Sequence, residues 1–114
     1  MTNGYNYSDI GTEYDTLTGG TGADTFVLGD TLGIYYGDNY DHSFATITDF
    51  SSAQGDTIQL FGSSSDYYLS YGNYGGSSAT DTFIYEDTYG YGLIGVVQDT
   101  VLGSTGSASF QYVV

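Results

Sequence analysis

The chain contains no lysine and no arginine. Its 114 residues carry 14 Asp plus Glu, a formal charge of −14, and His42 is the one side chain able to become cationic near neutral pH. Nucleic acid, nucleotides and anionic membrane surfaces need Lys or Arg to neutralise phosphate, so these partners are excluded. Salt bridges to Lys or Arg are excluded too, and the acids repel one another in any compact state. Cysteine is absent, which removes disulfides and thiolate metal sites. Proline is absent as well, so sheet edges lack both of the residues, Lys and Pro, that commonly guard them. No apolar run approaches the roughly 18 residues of a membrane helix. Met1 to Asp9 has neither the basic start nor the apolar stretch of a signal peptide, so export is expected to use another route.

Leu, Ile, Val and Phe together supply 25 of the 114 residues, barely above the composition at which strongly charged chains stay unfolded. Fourteen tyrosines add burial capacity. A marginal core with unopposed carboxylates asks for an external cation. Eighteen glycines with abundant Thr, Tyr and Val favour strands joined by glycine turns over helices. The expected fold is all-β.

Alternation places strands at Thr25 to Leu28, Gly33 to Tyr36, Phe44 to Phe50, Thr57 to Phe61, Tyr67 to Tyr71, Thr82 to Glu86, Leu93 to Gln98 and Ser107 to Val114. Within the third, strict alternation puts Phe44, Thr46, Thr48 and Phe50 on one face and Ala45, Ile47 and Asp49 on the other. Gly62 to Thr80, rich in Ser and Gly, reads as a long hairpin or loop inside one domain. Residues 1–13 read as an N-terminal arm and 14–114 as a single β domain.

The segment Gly19-Gly20-Thr21-Gly22-Ala23-Asp24-Thr25-Phe26-Val27 fills every defined position of the nonapeptide G-G-x-G-x-D-x-U-x. Its glycines permit left-handed backbone, so carbonyl oxygens can converge on one point. Gly19, Thr21 and Gly22 are the expected carbonyl donors, Asp24 supplies a carboxylate, and Phe26 anchors the following strand. Calcium takes six to eight oxygens and suits such a set. Nine residues upstream, Gly11, Asp15 and Leu17 keep part of the pattern. Downstream, Gly29 and Asp30, then Gly37, Asp38 and Asp41, fall in turn-like stretches. With same-side turns about two nonapeptides apart, Asp24 could share a calcium with Asp38 or Asp41, and Asp15 with Asp30.

Here the chain resembles the C-terminal region of hemolysin-type (RTX) calcium-binding proteins, especially the cyanobacterial ones. The resemblance runs from Gly19–Val27 through Ile47-Thr48-Asp49-Phe50 and Asp56-Thr57-Ile58-Gln59-Leu60. It continues at Leu93-Ile94-Gly95-Val96-Val97-Gln98 and Phe110-Gln111-Tyr112-Val113-Val114. It implies a short calcium-binding β-roll-like region with a capping β-sandwich or meander, makes 14–114 a single calcium-binding β domain, and places Asp49 and Asp56 at capping-turn positions where the family often binds a further calcium. The family often has Asp-Tyr-Ala before the first capping strand; Ser43-Phe44-Ala45 stands there instead. The apolar end Val113-Val114 resembles the C-terminus read by type I secretion, which implies an extracellular location.

Other residues carry no comparable signal. His42 beside Ser43 lacks any nucleophile or oxyanion motif. Glu86 and Asp87 read as solvated loop acids, as does Asp66 in its Ser-rich loop, and no enzymatic activity is expected. Tyr35-Tyr36, Tyr67-Tyr68 and Tyr85/Tyr89/Tyr91 should each expose at least one ring, which is good interface material. The expected function is a secreted, calcium-stabilised structural protein that self-assembles into an extracellular filament or surface layer. Strand addition is the expected mechanism, with Tyr5, Tyr7 and Ile10 of the arm docking on a neighbour. The alternative is a stand-alone adhesin or glycan-binding module that uses tyrosines to bind polysaccharide.

Overall fold

The computed structural model describes residues 13–30, 33–34, 43–74, 79–88 and 92–114. It is all-β. Ten strands are formed among these residues: β1 (Glu13–Leu17), β2 (Thr25–Val27), β3 (Gly29–Asp30), β4 (Gly33–Ile34), β5 (Ser43–Ile47), β6 (Thr57–Phe61), β7 (Tyr67–Gly72), β8 (Asp81–Glu86), β9 (Gly92–Val97) and β10 (Phe110–Val113). The larger sheet has the order β1-β5-β9-β8-β7, the second β10-β6-β2, and β3 pairs with β4 alone.

Strand direction gives the architecture. β1, β5 and β9 are mutually parallel, and so are β2, β6 and β10. β1–β2, β5–β6 and β9–β10 are therefore three stacked coils, each passing from the larger sheet through a turn into the smaller one. Leu17, Ile47 and Val97 stand in one column, and Phe26, Ile58 and Phe110 in the facing one. All six are in the main core, where each large apolar side chain contributes about 1.5–3 kcal/mol. The two columns are nine residues apart in the first coil, eleven in the second and thirteen in the third. The nonapeptide is thus the shortest turn of a series that lengthens along the stack.

The expected vertical spacing is corrected. The first two turns lie 30 residues apart, as the pairing of Leu17 with Ile47 requires, and the third 50 beyond the second, as that of Ile47 with Val97 requires, and not about 18. The chain between β2 and β5, including the β3–β4 pair, is extra to a minimal roll. The strict alternation through Phe44–Phe50 also fails at its end. Ala45 and Ile47 do face the main core while Phe44 joins a separate cluster with Leu93 and Val96. The strand stops at Ile47, however, and Phe50 turns back into the main core, its ring 6.3 Å from Phe26.

Beyond β9 the larger sheet continues as the antiparallel pair β8 and β7, the hairpin expected around Gly62 to Thr80. A bulge between them and the roll opposes Ile84 to Gly95 and Tyr85 to Leu93. The extra residue, Ile94, is fully buried in the main core. A Cβ at Gly95 would lie 2.9 Å from Leu28 Cδ1, so any larger residue there would force the Leu28 side chain to shift. Under this hairpin runs the long third turn, held by Tyr71 donating to the Leu102 carbonyl (2.6 Å) and Thr82 donating to that of Thr100 (2.7 Å).

Candidate functional site

The nonapeptide turn joins β1 to β2 and stacks directly on the turn joining β5 to β6. Gly20 and Gly22 have φ of 85° and 87°, a region L side chains rarely occupy, and Gly19 serves closeness. A Cβ on Gly19 would stand 2.5 Å from Asp24 Oδ2, so the motif's first glycine exists to admit the motif's own carboxylate. Asp24 Oδ2 is buried and accepts no hydrogen bond. A buried carboxylate oxygen without a donor is costly, and a hard cation beside backbone oxygens would satisfy it. Calcium therefore fits Asp24 and its glycine cradle. A cleft of about 560 Å³ opens beside it, lined by Thr16–Gly19 and Asp24–Val27.

Asp49 and Asp56 point elsewhere. Asp49 accepts the backbone N–H groups of Gly19 (2.9 Å) and Gly20 (2.7 Å), which hold its carboxyl below the ordinary value of 3.8. Asp56, 2% exposed, accepts the N–H of Asp24 (2.8 Å) through one oxygen and that of Ser51 (2.9 Å) through the other. Both acids of the second turn thus tie down the first, in the manner of charge-assisted hydrogen bonds. Thr18 and Thr48 (2.6 Å) and Thr25 and Thr57 (3.3 Å) pair hydroxyls at the two ends of the same turn. Each oxygen of Asp49 and Asp56 accepts one N–H, which leaves half of their acceptor sites open to a further ligand.

The remaining expected ligands are dispersed. Asp15 lies in β1 opposite Ala45, and Asp30 lies in β3 opposite Gly33. Asp38, Asp41 and His42, and the arm residues Tyr5, Tyr7 and Ile10, lie outside the described residues. Thr21 and Gly22 lie in the turn beside Asp24. No cluster of three or more His, Asp or Glu occurs among the described residues, so carbonyls would have to provide most of a calcium shell.

Two further acids have structural work that the sequence reading missed. Asp81, fully buried, accepts N–H groups from Asp99 (2.6 Å) and Tyr74 (2.7 Å), pinning the third turn to the β7–β8 connection. Asp66 is not a bare loop acid: it accepts from the Thr88 hydroxyl (2.7 Å) and the Ser63 N–H (3.0 Å), which lower its pKa in that order of effect. Its signal was present as Ser63-x-x-Asp66, a capping box. Glu86 is likewise buried in β8 while Asp87 is exposed, which corrects the reading of both as solvated.

Among the tyrosines, Tyr68 is 48% exposed and Tyr67 only 5%, as alternation requires. Tyr68 stacks on Tyr85 with ring centroids 5.1 Å apart and planes 8° from parallel. Tyr67 instead donates to the Phe61 carbonyl from inside (2.6 Å). Tyr35, Tyr36, Tyr89 and Tyr91 lie outside the described residues. No family model matches this chain, and a search of curated proteins gives no match.

Proposed function

We propose that this protein is a secreted, calcium-stabilised structural subunit of hemolysin-type (RTX) character, exported by type I secretion and assembling outside the cell by strand addition. It performs no catalysis in this reading. The observation that carries it is the first coil. There β2 has a single strand partner among the described residues, and Asp24 Oδ2 lies buried without a donor in a nonapeptide turn. Calcium at Asp24 would remove that cost and part of the repulsion among 14 acids. Two such chains could then approach, and an open sheet edge offers unpaired N–H and C=O groups to the newcomer.

The test is direct. Light scattering and negative-stain electron microscopy of the purified chain should show growing assemblies with calcium and their loss with chelator. A monomer in both conditions, at high protein concentration, would sink the proposal.

One observation favours a second reading, a glycan-binding module: the Tyr68–Tyr85 stack presents an exposed ring on an uncharged strand. Saturable binding of a polysaccharide by a monomer, lost in Tyr68→Ala, would select it.

A further inference from the structure

The two ends of the larger sheet differ in a way that bears on where a second chain adds. β1 forms one edge and β7 the other among the described residues. β1 carries Glu13 and Asp15. Asp15 pairs with Ala45, a core residue, so an acid sits on the core-facing side of that strand, a common guard against edge pairing. β7 reads Tyr-Tyr-Leu-Ser-Tyr-Gly, with no charge, no proline and an unbroken register against β8 over all six residues. It is the longest edge strand described, and residues 67–80 contain no acid in a chain of charge −14. Tyr68 and Tyr71 on it are 48% and 45% exposed.

We propose that β7 is the edge at which a second copy of this chain adds, through that copy's β1. The proposal rests on the self-assembly reading above and names its interface. Direction supports it. β9 is parallel to β5 and β1, β8 is antiparallel to β9, and β7 is antiparallel to β8. β7 therefore runs parallel to β1, and a copy displaced along the sheet presents β1 to β7 in the direction its own β5 already uses. The contact is heterologous and does not close, so it repeats into a filament. Charge selects the pairing. Joining β1 to β1 would bring four acids together, whereas β7 opposes the acids of β1 with none.

The competing join, β10 of one copy to β2 of the next, is obstructed. It would bring β9 of the first copy beside β1 of the second, but β8 already occupies that flank of β9. At the β7 end the third turn fills the layer beneath the overhanging hairpin, through Tyr71 to Leu102 and Thr105 to Ser64 (3.2 Å). The end is therefore two layers thick and can be covered by the first coil of another molecule.

Tyr71→Glu and, separately, Tyr71→Asp place an acid on the core-facing side of β7, the side that Asp15 takes on β1. Ala53→Glu adds the same charge on an exposed residue of the second turn. Like charges set face to face disfavour association strongly. With calcium present and folding verified by circular dichroism, both β7 variants should need at least about tenfold more protein to assemble, while Ala53→Glu should assemble as the parent does. Unchanged assembly of both β7 variants overturns the interface and leaves the self-assembly reading standing. A parent chain that stops at a dimer, lost in the β7 variants, overturns the head-to-tail pairing with β1. A parent that never associates overturns both.

Discussion

The Asp49 carboxylate bridges two turns of the roll, taking the N–H of Gly19 at 2.9 Å and of Gly20 at 2.7 Å. Asp56 repeats the relationship at the other end of the same turn, with Asp24 as donor. In a chain without Lys or Arg, acids are retained because backbone N–H groups serve as their counter-charges. The Asp49 carboxylate is held in its ionised form by the Gly19 and Gly20 N–H groups, which lower its pKa.

A pH prediction follows from Asp49 and Asp66, both held below their ordinary value of 3.8, the first by Gly19 and Gly20, the second by Thr88 and Ser63. A depressed folded pKa gives stability that is fully present above the unfolded value and lost as pH falls through the folded one. Melting temperature should therefore hold from neutrality to about pH 5 and decline below about pH 4. Asp49→Asn should lower the neutral plateau and flatten the acid decline. An acid limb of unchanged steepness in that variant would refute the assignment.

The alkaline side has its own marker. Burial pushes the Tyr112 hydroxyl up to about 12, against the lowering effect of the Thr105 side chain, while the phenol donates to the Thr105 carbonyl. A raised folded pKa contributes stability that is intact below the unfolded value of 10.0 and disappears as pH rises toward 12. Tyrosinate absorbance should show one late-titrating ring in the folded chain, absent in Tyr112→Phe. Its persistence in that variant would assign it to another tyrosine.

Asp81 should be the most costly acid to remove. Asp81→Ala leaves the N–H groups of Asp99 and Tyr74 without their acceptor at a fully buried position, which costs about 2–3 kcal/mol. Asp81→Asn keeps one acceptor and should lose less. Urea unfolding of the two variants checks the order; an equal, small loss in both would mean water replaces the carboxylate freely.

The sequence made most strands legible wherever alternation was local: Thr57–Phe61, Tyr67–Gly72 and Asp81–Glu86 lie within a residue of expectation at either end. β1 was not legible as a strand. Glu13-Tyr14-Asp15-Thr16-Leu17 has two acids in five residues, and its extended state is fixed by parallel pairing with β5, 30 residues away. The glycine-rich turn was readable because its geometry is written in adjacent residues. Asp81 was not, since its donors sit 7 and 18 residues away and no local pattern joins them. The acids of the second turn stood out as notable, but their donors belong to the first turn. Phe50 was assigned to the wrong face for a simple reason: period two holds only while the strand lasts.

Gly95 tests the packing beneath the bulge. A methyl group there would stand 2.9 Å from Leu28 Cδ1 and 3.5 Å from Ile84 Cδ1, both on fully buried residues. Gly95→Ala should cost about 1–3 kcal/mol through overpacking. Gly95→Ala combined with Leu28→Ala should recover part of that loss relative to Leu28→Ala alone. A strictly additive double mutant would show that the two sites do not touch.

Asp24 gives a prediction whose sign depends on the metal. With chelator present, Asp24→Asn removes a buried charge whose Oδ2 has no donor, so the variant should melt at or above the parent temperature. The amide also relieves repulsion in a chain of charge −14. With calcium in thousandfold excess over its dissociation constant, the parent gains about 4 kcal/mol if the ion binds only the folded chain. The variant lacks the carboxylate that anchors the ion and should gain far less, so the order of the two melting temperatures reverses. Asp49→Asn, whose carboxylate is occupied by Gly19 and Gly20, should instead be less stable than the parent in both buffers and keep the calcium increment. If Asp24→Asn retains the full calcium increment, the nonapeptide carboxylate is not the ligand; if neither parent nor variant responds to calcium, the buried oxygen is borne as unrelieved strain.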